Sequence, residues 1–305
     1  MFVRRGYRLF GTKPICARLD DENIIIENFK VKRTLTETQT LREKVHEANI
    51  AVHRVEVSYY ELFHPEVYRK QEQKRITSKL KKADGLVSDN QKKALDFGAG
   101  TGNLTGKLLA LGYVVTAVDI SAEMCAALRK KYRSEVDEKK LVVVNSPIEN
   151  VDFESGSFDL VTCYSVLHHL PDYVDALVRL CGLLKKGGAM YLDHEASPYY
   201  WKMEPTMLAE LVKSVYFHSN PMLNALYFGM VGLKIPVVDY SLSDYWHKKE
   251  HSLDHAKIRR VFEKERFEFF ERADYFLKGT WIFNPFFAVY KHVCRPEMSY
   301  WIAKK

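Results

Sequence analysis

An α/β protein with a doubly wound, mostly parallel sheet is what this sequence predicts, and three observations predict it. Between residues 93 and 193, short apolar runs alternate with stretches of helical period. The apolar runs are continuous, as strands covered on both faces require. The first of them, 94–97, ends in a turn where Gly98, Gly100 and Gly102 alternate ahead of a helix, a pattern that lets the backbone turn tightly beside a ligand.

The elements follow in order. Residues 1–39 form a basic arm in which 23–27 reads as a short strand or an extended segment. From Thr40, the residues Leu41, Val45, Val52, Val55 and Leu62 recur at helical intervals. Pro65 interrupts, and a second helix is expected over about 66–82. Residues 40–89 are thus an N-terminal helical cap, and the turn-rich stretch 83–90 leads into a core spanning 90–305. In the core, strand 94–97 precedes a helix over 103–111 with Leu104, Leu108 and Leu111 on one side. Strand 114–118 ends at Asp119, and Ser121 caps a helix that buries Met124, Leu128 and Tyr132. Strands 141–144 and 157–163, a helix over 172–181, a turn at Gly187-Gly188 and strand 189–193 complete the alternation. Residues 197–251, rich in aromatics and methionine, break the rhythm and read as a helical insertion. Ser252 is expected to cap a further helix, and strands 267–277 and 298–303 return the chain to a sheet of seven strands.

Composition bounds the function. The 305 residues are 47% hydrophobic and 28% charged, which provides an ample core. A formal charge of +7 is mild for this length, and no nucleic-acid partner is expected. Arg4, Arg5, Arg8, Lys13 and Arg18 stand in the first 19 residues with no acid. A basic arm is the preferred reading and an organelle leader the alternative, since serine is absent and the apolar-basic periodicity is poor. The five cysteines are scattered with no CxxC pair, which suits a reducing compartment. A cytoplasmic protein is therefore expected, or a mitochondrial one if the arm is a leader. No apolar run reaches the roughly 18 residues of a membrane span.

Asp119 lies 23 residues after Asp96, at the tip of the second core strand, where a carboxylate can accept from both hydroxyls of a ribose. No Lys-Ser or Lys-Thr follows the glycines, which disfavours a P-loop. On these residues the chain resembles the class I S-adenosylmethionine-dependent methyltransferases, in the branch called methyltransferase type 11. The matching stretches are Leu95-Asp-Phe-Gly-Ala-Gly-Thr-Gly-Asn103, Val118-Asp-Ile-Ser121, Ser157-Phe-Asp-Leu-Val161, Val166-Leu-His-His-Leu170 and Leu184-Lys-Lys-Gly-Gly188. The resemblance covers residues 90–195 firmly and 252–303 loosely. It implies a Rossmann-like fold and S-adenosyl-L-methionine as cofactor. It places Asp96 and the Gly98, Gly100 and Gly102 loop at the methionine end, Asp119 on the ribose and Ile120 against the adenine. Tyr164 and Ser165 would line the transfer cavity. The family's aspartate after the third strand is Pro147 here, which has neither an acceptor side chain nor an N–H, so Ser146 or Asn145 is left for the adenine amino group. Tyr60, with Tyr59 second, stands where the family's cap brings a tyrosine towards the sulfonium.

Methyl transfer rests on positioning, and a general base is needed only when the acceptor must lose a proton. His168 and His169 follow the fourth core strand and His194 the fifth, all outside the carboxyl ends where an open sheet binds its ligands. His194 leads, because Asp193 and Glu195 flank it as orienting carboxylates. The alternative for each is a histidine tied to the backbone at a strand tip. His247, His251 and His255 are spaced by four, but a helix capped at Ser252 separates them, and no metal is expected. The insertion at 197–251 reads as a substrate lid over a small apolar or aromatic acceptor, most simply one methylated on oxygen. The apolar patch 281–287 reads as core, with membrane-lipid contact as the alternative. Two other functions compete: an RNA or protein methyltransferase, and a non-catalytic methyltransferase-like assembly protein, which Pro147 and the basic arm would suit. Nothing in the sequence specifies an oligomer.

Overall fold

The structure, a computed structural model, describes residues 23–26, 29–32, 40–57, 60, 64–88, 92–215, 242, 245–246, 253–277 and 286–305. It divides into two compact units, Met1–Lys44 and Val45–Lys305. In the first, β1 (Asn23–Ile26) pairs antiparallel with β2 (Phe29–Lys32), Asn23 opposite Lys32. The helix Leu41–Glu56 opens on a reciprocal cap. Thr40 Oγ1 accepts from Glu43 N at 3.3 Å, and Glu43 Oε2 accepts from Thr40 N at 2.7 Å. The arginines of the basic arm lie outside the described residues.

In the second unit the expected helix over 66–82 is two helices, Pro65–Tyr68 and Lys70–Asp84. Proline opens the first, where its missing N–H costs nothing. Arg69, extended at φ −62° and ψ 143°, separates them. The longer helix buries Ile76, Leu80 and Ala83 on the sheet.

The sheet has seven strands in the order β5-β4-β3-β6-β7-β9-β8. They are β3 (Lys93–Phe97), β4 (Val114–Asp119), β5 (Leu141–Asn145), β6 (Phe158–Tyr164), β7 (Leu184–Ala196), β8 (Phe269–Tyr275) and β9 (Met298–Lys304). The first five pair in parallel. β9 runs antiparallel to both β7 and β8. The expected seven-stranded, mostly parallel sheet is therefore present.

Alternate residues of the central strands face opposite layers. Val161, Met190 and Trp301 join Leu177, Leu180, Ile258 and Phe262 under the helices Tyr173–Leu183 and His255–Lys264. Leu160, Tyr191 and Ile302 join Ile76, Leu80, Leu104 and Leu108 on the other face. The helix Ala122–Lys131 starts where Ser121 accepts from Met124 N at 3.2 Å, and it buries Met124 and Leu128 as expected.

Three local expectations need correction. Gly187-Gly188 does not turn the chain into β7 but lies inside that strand, with Gly187 at φ +77° and its N–H donating to Lys305 O at 2.7 Å. The helix after the insertion is capped by Asp254 rather than Ser252, Asp254 Oδ1 accepting from Ala256 N at 2.8 Å. Of the insertion, residues 207–215 are helical, and its aromatic residues Phe217, Tyr227, Phe228 and Tyr240 lie outside the described residues. No helix among the described residues is long and apolar enough to cross a membrane.

Candidate active site

The glycine turn leaves β3 pinned to its neighbour, because Gly98 N and Ala99 N both donate to Val118 O, at 2.8 and 3.0 Å. Gly98, Gly100 and Gly102 all take positive φ, at 70°, 52° and 89°, the region that costs any other residue. Their surroundings differ. A Cβ on Gly98 would stand 2.1 Å from Val166 Cγ2, and one on Gly102 2.4 Å from Leu128 Cδ1. A Cβ on Gly100 would meet nothing within 4 Å. Two glycines thus serve packing, and the third leaves an open backbone face.

Asp119 borders that face. Its Oδ2 accepts from Gly100 N at 2.8 Å and its Oδ1 from Ser121 N at 2.9 Å. Burial pushes its carboxyl upward against the pull of these donors and of His53. A half-buried carboxylate with fixed geometry beside an open glycine backbone fits a ribose diol and the chain leading from it. Ile120, the next residue, is half-buried at the same tip. Ser146 turns its hydroxyl onto Pro147 O at 3.0 Å, and its N–H donates to Asp119 O. Asn145 Nδ2 also donates to Asp119 O, at 2.9 Å.

Asp96 is held differently from Asp119. It is 1% exposed, and its two oxygens accept from Thr105 Oγ1 at 2.6 Å and Thr162 Oγ1 at 2.9 Å. It therefore braces the base of the loop. Burial pushes its carboxyl up to about 6, against the threonine hydrogen bonds that pull it down. The folded chain holds this proton more tightly than the unfolded one, whose carboxyl titrates near 3.8. Its contribution to stability is complete below about pH 4 and is lost as pH rises through 6, about 3 kcal/mol in all. Asp96→Asn is expected to flatten the fall in urea midpoint between pH 4 and 7; an unaltered slope would show that the fall originates elsewhere.

The helices that precede β3 reach these loops. Tyr68 Oη lies 3.1 Å from Thr101 Oγ1, and Arg54 Nε donates to Glu123 Oε1 at 2.6 Å. Tyr60 packs its ring 4.5 Å from His64 and 6.3 Å from His53. Because His53 draws on Asp119 electrostatically, Tyr60 belongs to the same neighbourhood. Tyr59 lies outside the described residues.

The three candidate histidines separate. His168 is buried, and its Nδ1–H donates to Glu195 Oε2 at 2.7 Å. Glu195 is fully buried and also accepts from the backbone of Val166, Leu167 and His168, so it fixes the turn at Leu167–His169. His169 is half-buried, with its ring 4.1 Å from that of His168. His194 sits at φ +58°, buried, stacked on Tyr164 at 5.0 Å, with Nδ1 3.1 Å from Tyr164 Oη. Burial, with His168, Arg75 and His64 nearby, pushes it well below its usual range, so it is neutral at pH 7. The flanking carboxylates do not hold its ring as expected: Glu195 serves His168, and Asp193 Oδ1 accepts from the His194 backbone N–H at 2.7 Å.

Around Asp193 stands a group that no local motif announced. Arg75 Nη2 donates to Asp193 Oδ2 at 2.8 Å and to Glu72 Oε1 at 2.7 Å. Its guanidinium lies 3.8 Å over the Tyr275 ring. Tyr275 Oη donates to Asp193 Oδ1 at 3.0 Å, and Tyr191 Oη donates to Oδ2. Arg75 stands 118 residues from Asp193, and only the assembled sheet brings them together.

His255 is structural. Its Nε2–H donates to Ala196 O at 2.8 Å, and its Nδ1 accepts from Arg272 Nε and Trp301 Nε1, both at 3.1 Å. No cluster among the described residues is arranged to hold a metal; His247 and His251 lie outside them.

The family model for a methyltransferase domain matches residues 95–192. Over 120 residues the chain is 34% identical to the ubiquinone biosynthesis O-methyltransferase of Vibrio parahaemolyticus, covering 39% of this chain and 49% of that protein. Over 105 residues it is 36% identical to the protein of the same name from Xanthomonas oryzae pv. oryzae, covering 33% and 42%. The chain thus spans about half the length of these curated relatives or less. Among solved structures, phosphoethanolamine N-methyltransferase 2 of Haemonchus contortus, in complex with S-adenosyl-L-methionine, aligns with a TM-score of 0.52 at 14% identity. That alignment covers 90% of this chain and 61% of the other, a likeness in fold. Residues 95–192 are a methyltransferase domain. Its class is that of the S-adenosylmethionine-dependent, class I methyltransferases.

Proposed function

We propose that the protein catalyses methyl transfer from S-adenosyl-L-methionine to a hydroxyl of a small apolar or aromatic acceptor. The observation that carries this reading is the open backbone at Gly100 beside the fixed Asp119 carboxylate, with a neutral histidine at the neighbouring strand tips. The name shared by the curated relatives supports the choice of oxygen. Bound there, the cofactor would supply an electrophilic methyl group on a sulfonium. The Gly98–Gly102 backbone and Asp119 would hold it, with Ile120 against its base and Ser146 at the base's edge. Tyr60 and Tyr164 would face the reacting end. Asp96 would keep the loop in shape without touching the ligand. His194, uncharged at neutral pH, would take the proton that a phenolic hydroxyl must lose. His169 is the second candidate for that task, while His168, tied to Glu195, would position the turn.

Calorimetry with S-adenosyl-L-methionine, followed by transfer of labelled methyl to catechol as a probe phenol, tests the reading. Asp119→Ala is expected to weaken cofactor binding by about ten- to a hundredfold, the loss of hydrogen bonds to a charged group. Absence of binding at millimolar cofactor in the wild-type protein would sink the enzyme reading in favour of a non-catalytic assembly role.

A further inference from the structure

Two tyrosine hydroxyls converge on one nitrogen of His194. Tyr164 Oη is 3.1 Å from Nδ1 and Tyr275 Oη 3.4 Å. Tyr275 has a single proton to give, and a carboxylate oxygen, Asp193 Oδ1, lies nearer to it at 3.0 Å. A carboxylate beside a guanidinium accepts and does not donate. Burial and the charge of Asp193 push the Tyr275 phenol well above its usual range, so its proton stays in place. With that proton directed at Asp193, Tyr275 Oη offers His194 only lone pairs. A lone pair on Nδ1 could accept from Tyr164 O–H but would oppose the oxygen of Tyr275, whereas an N–H there is shared by both tyrosine oxygens as acceptors. The bond that one ring nitrogen makes decides which form the other takes.

We propose that Tyr275 and Asp193 are positioning residues that hold His194 as its Nδ1–H tautomer. The chain of donors runs from His194 Nδ1–H to Tyr275 Oη and from Tyr275 O–H to Asp193 Oδ1, and it leaves the Nε2 lone pair as the base. The inference rests on the proposed O-methylation, in which the acceptor's O–H bond breaks and its proton passes to Nε2, later to be released to water. It gives the carboxylate beside His194 a role that adjacency in sequence cannot: Asp193 acts on the ring through a residue of another strand. Arg75, bonded to Asp193 and stacked on Tyr275, keeps both members in place.

The test uses the full chain labelled with imidazole-¹⁵N histidine, read by long-range ¹H–¹⁵N correlation at neutral pH, with the His194 signals assigned by their loss in His194→Gln. The expected wild-type spectrum shows a protonated Nδ1 and an unprotonated Nε2. Tyr275→Phe is expected to move the ring towards the Nε2–H form, and Asp193→Asn to do the same. Tyr164→Phe is expected to leave it unchanged. A wild-type Nε2–H tautomer overturns the proposal without any variant, and so does an Nδ1–H form that persists in folded Tyr275→Phe. Calorimetry with S-adenosyl-L-methionine on the same samples separates the two readings. Loss of cofactor binding counts against methyl transfer, and a wrong tautomer in a protein that binds cofactor counts against the relay alone.

Discussion

Gly98→Ala will destabilise the protein by about 2–5 kcal/mol, the sum of left-handed backbone strain and overpacking. The new methyl would sit 2.1 Å from Val166 Cγ2 at φ +70°. Valine is a poor neighbour to ask to move, since branching at Cβ leaves it one or two rotamers. Val166 is also fixed by its own N–H, which donates to the buried Glu195 at 3.0 Å. Gly100→Ala makes the contrasting case. Its φ of +52° carries the strain, but nothing stands within 4 Å, so the cost is about 1–2 kcal/mol. Its main effect should fall on cofactor binding, because the methyl projects into the open face. Urea denaturation of both variants tests the pair. In Gly98→Ala/Val166→Ala the total should be less than the sum of the single losses. Equal destabilisation by the two glycine variants would show that Val166 does not decide the matter.

Arg75→Met should cost about 3–5 kcal/mol, the range for removing one partner of a buried pair. Asp193 is completely buried, and the Glu72 side chain is 12% exposed. Methionine keeps much of the bulk and removes every donor. Both carboxylates would then remain crowded without their cation, Glu72 already being pushed upward by burial. Arg75→Lys should recover little, since an ammonium cannot present one fork to two carboxylates while stacking on Tyr275. The thermal midpoint and urea curves give the comparison, and Arg75→Met/Asp193→Asn should lose less than the two single variants together. A loss below about 1 kcal/mol in Arg75→Met would mean that the group is held by other contacts.

The sheet was legible in the sequence because its strands are buried on both faces and so appear as continuous apolar runs. The glycine loop and Asp119 were legible because a tight turn and a strand tip impose residue types at fixed spacing. Other features follow from forces that spacing does not record. Gly187-Gly188 resembles a turn locally, yet pairing with Lys305 keeps it in the strand. Ser252 and Asp254 are both good caps, and backbone geometry chose the one whose oxygen meets two free N–H groups. Asp193 and Glu195 were natural partners for the histidine between them, but His194 stands at φ +58° where the register with β9 shifts, and the two carboxylates are engaged by Tyr275, Arg75 and His168 instead. The groups that meet the His194 ring come from β6 and β8. Arg75 carried no signal at all, because one arginine among the basic residues of an amphipathic helix is indistinguishable until the helix lands.

Among the described residues, β8 joins the sheet only through β9, which is inserted between it and β7. During synthesis, then, residues 269–275 leave the ribosome with no strand to join until 298–304 have also emerged. Tyr275, and with it the second hydroxyl on His194, arrives at the sheet among the last pieces. The five parallel strands can assemble well before the second tyrosine reaches the histidine at their tips, so a nascent chain acquires its glycine loop first and the full set of contacts on His194 afterwards.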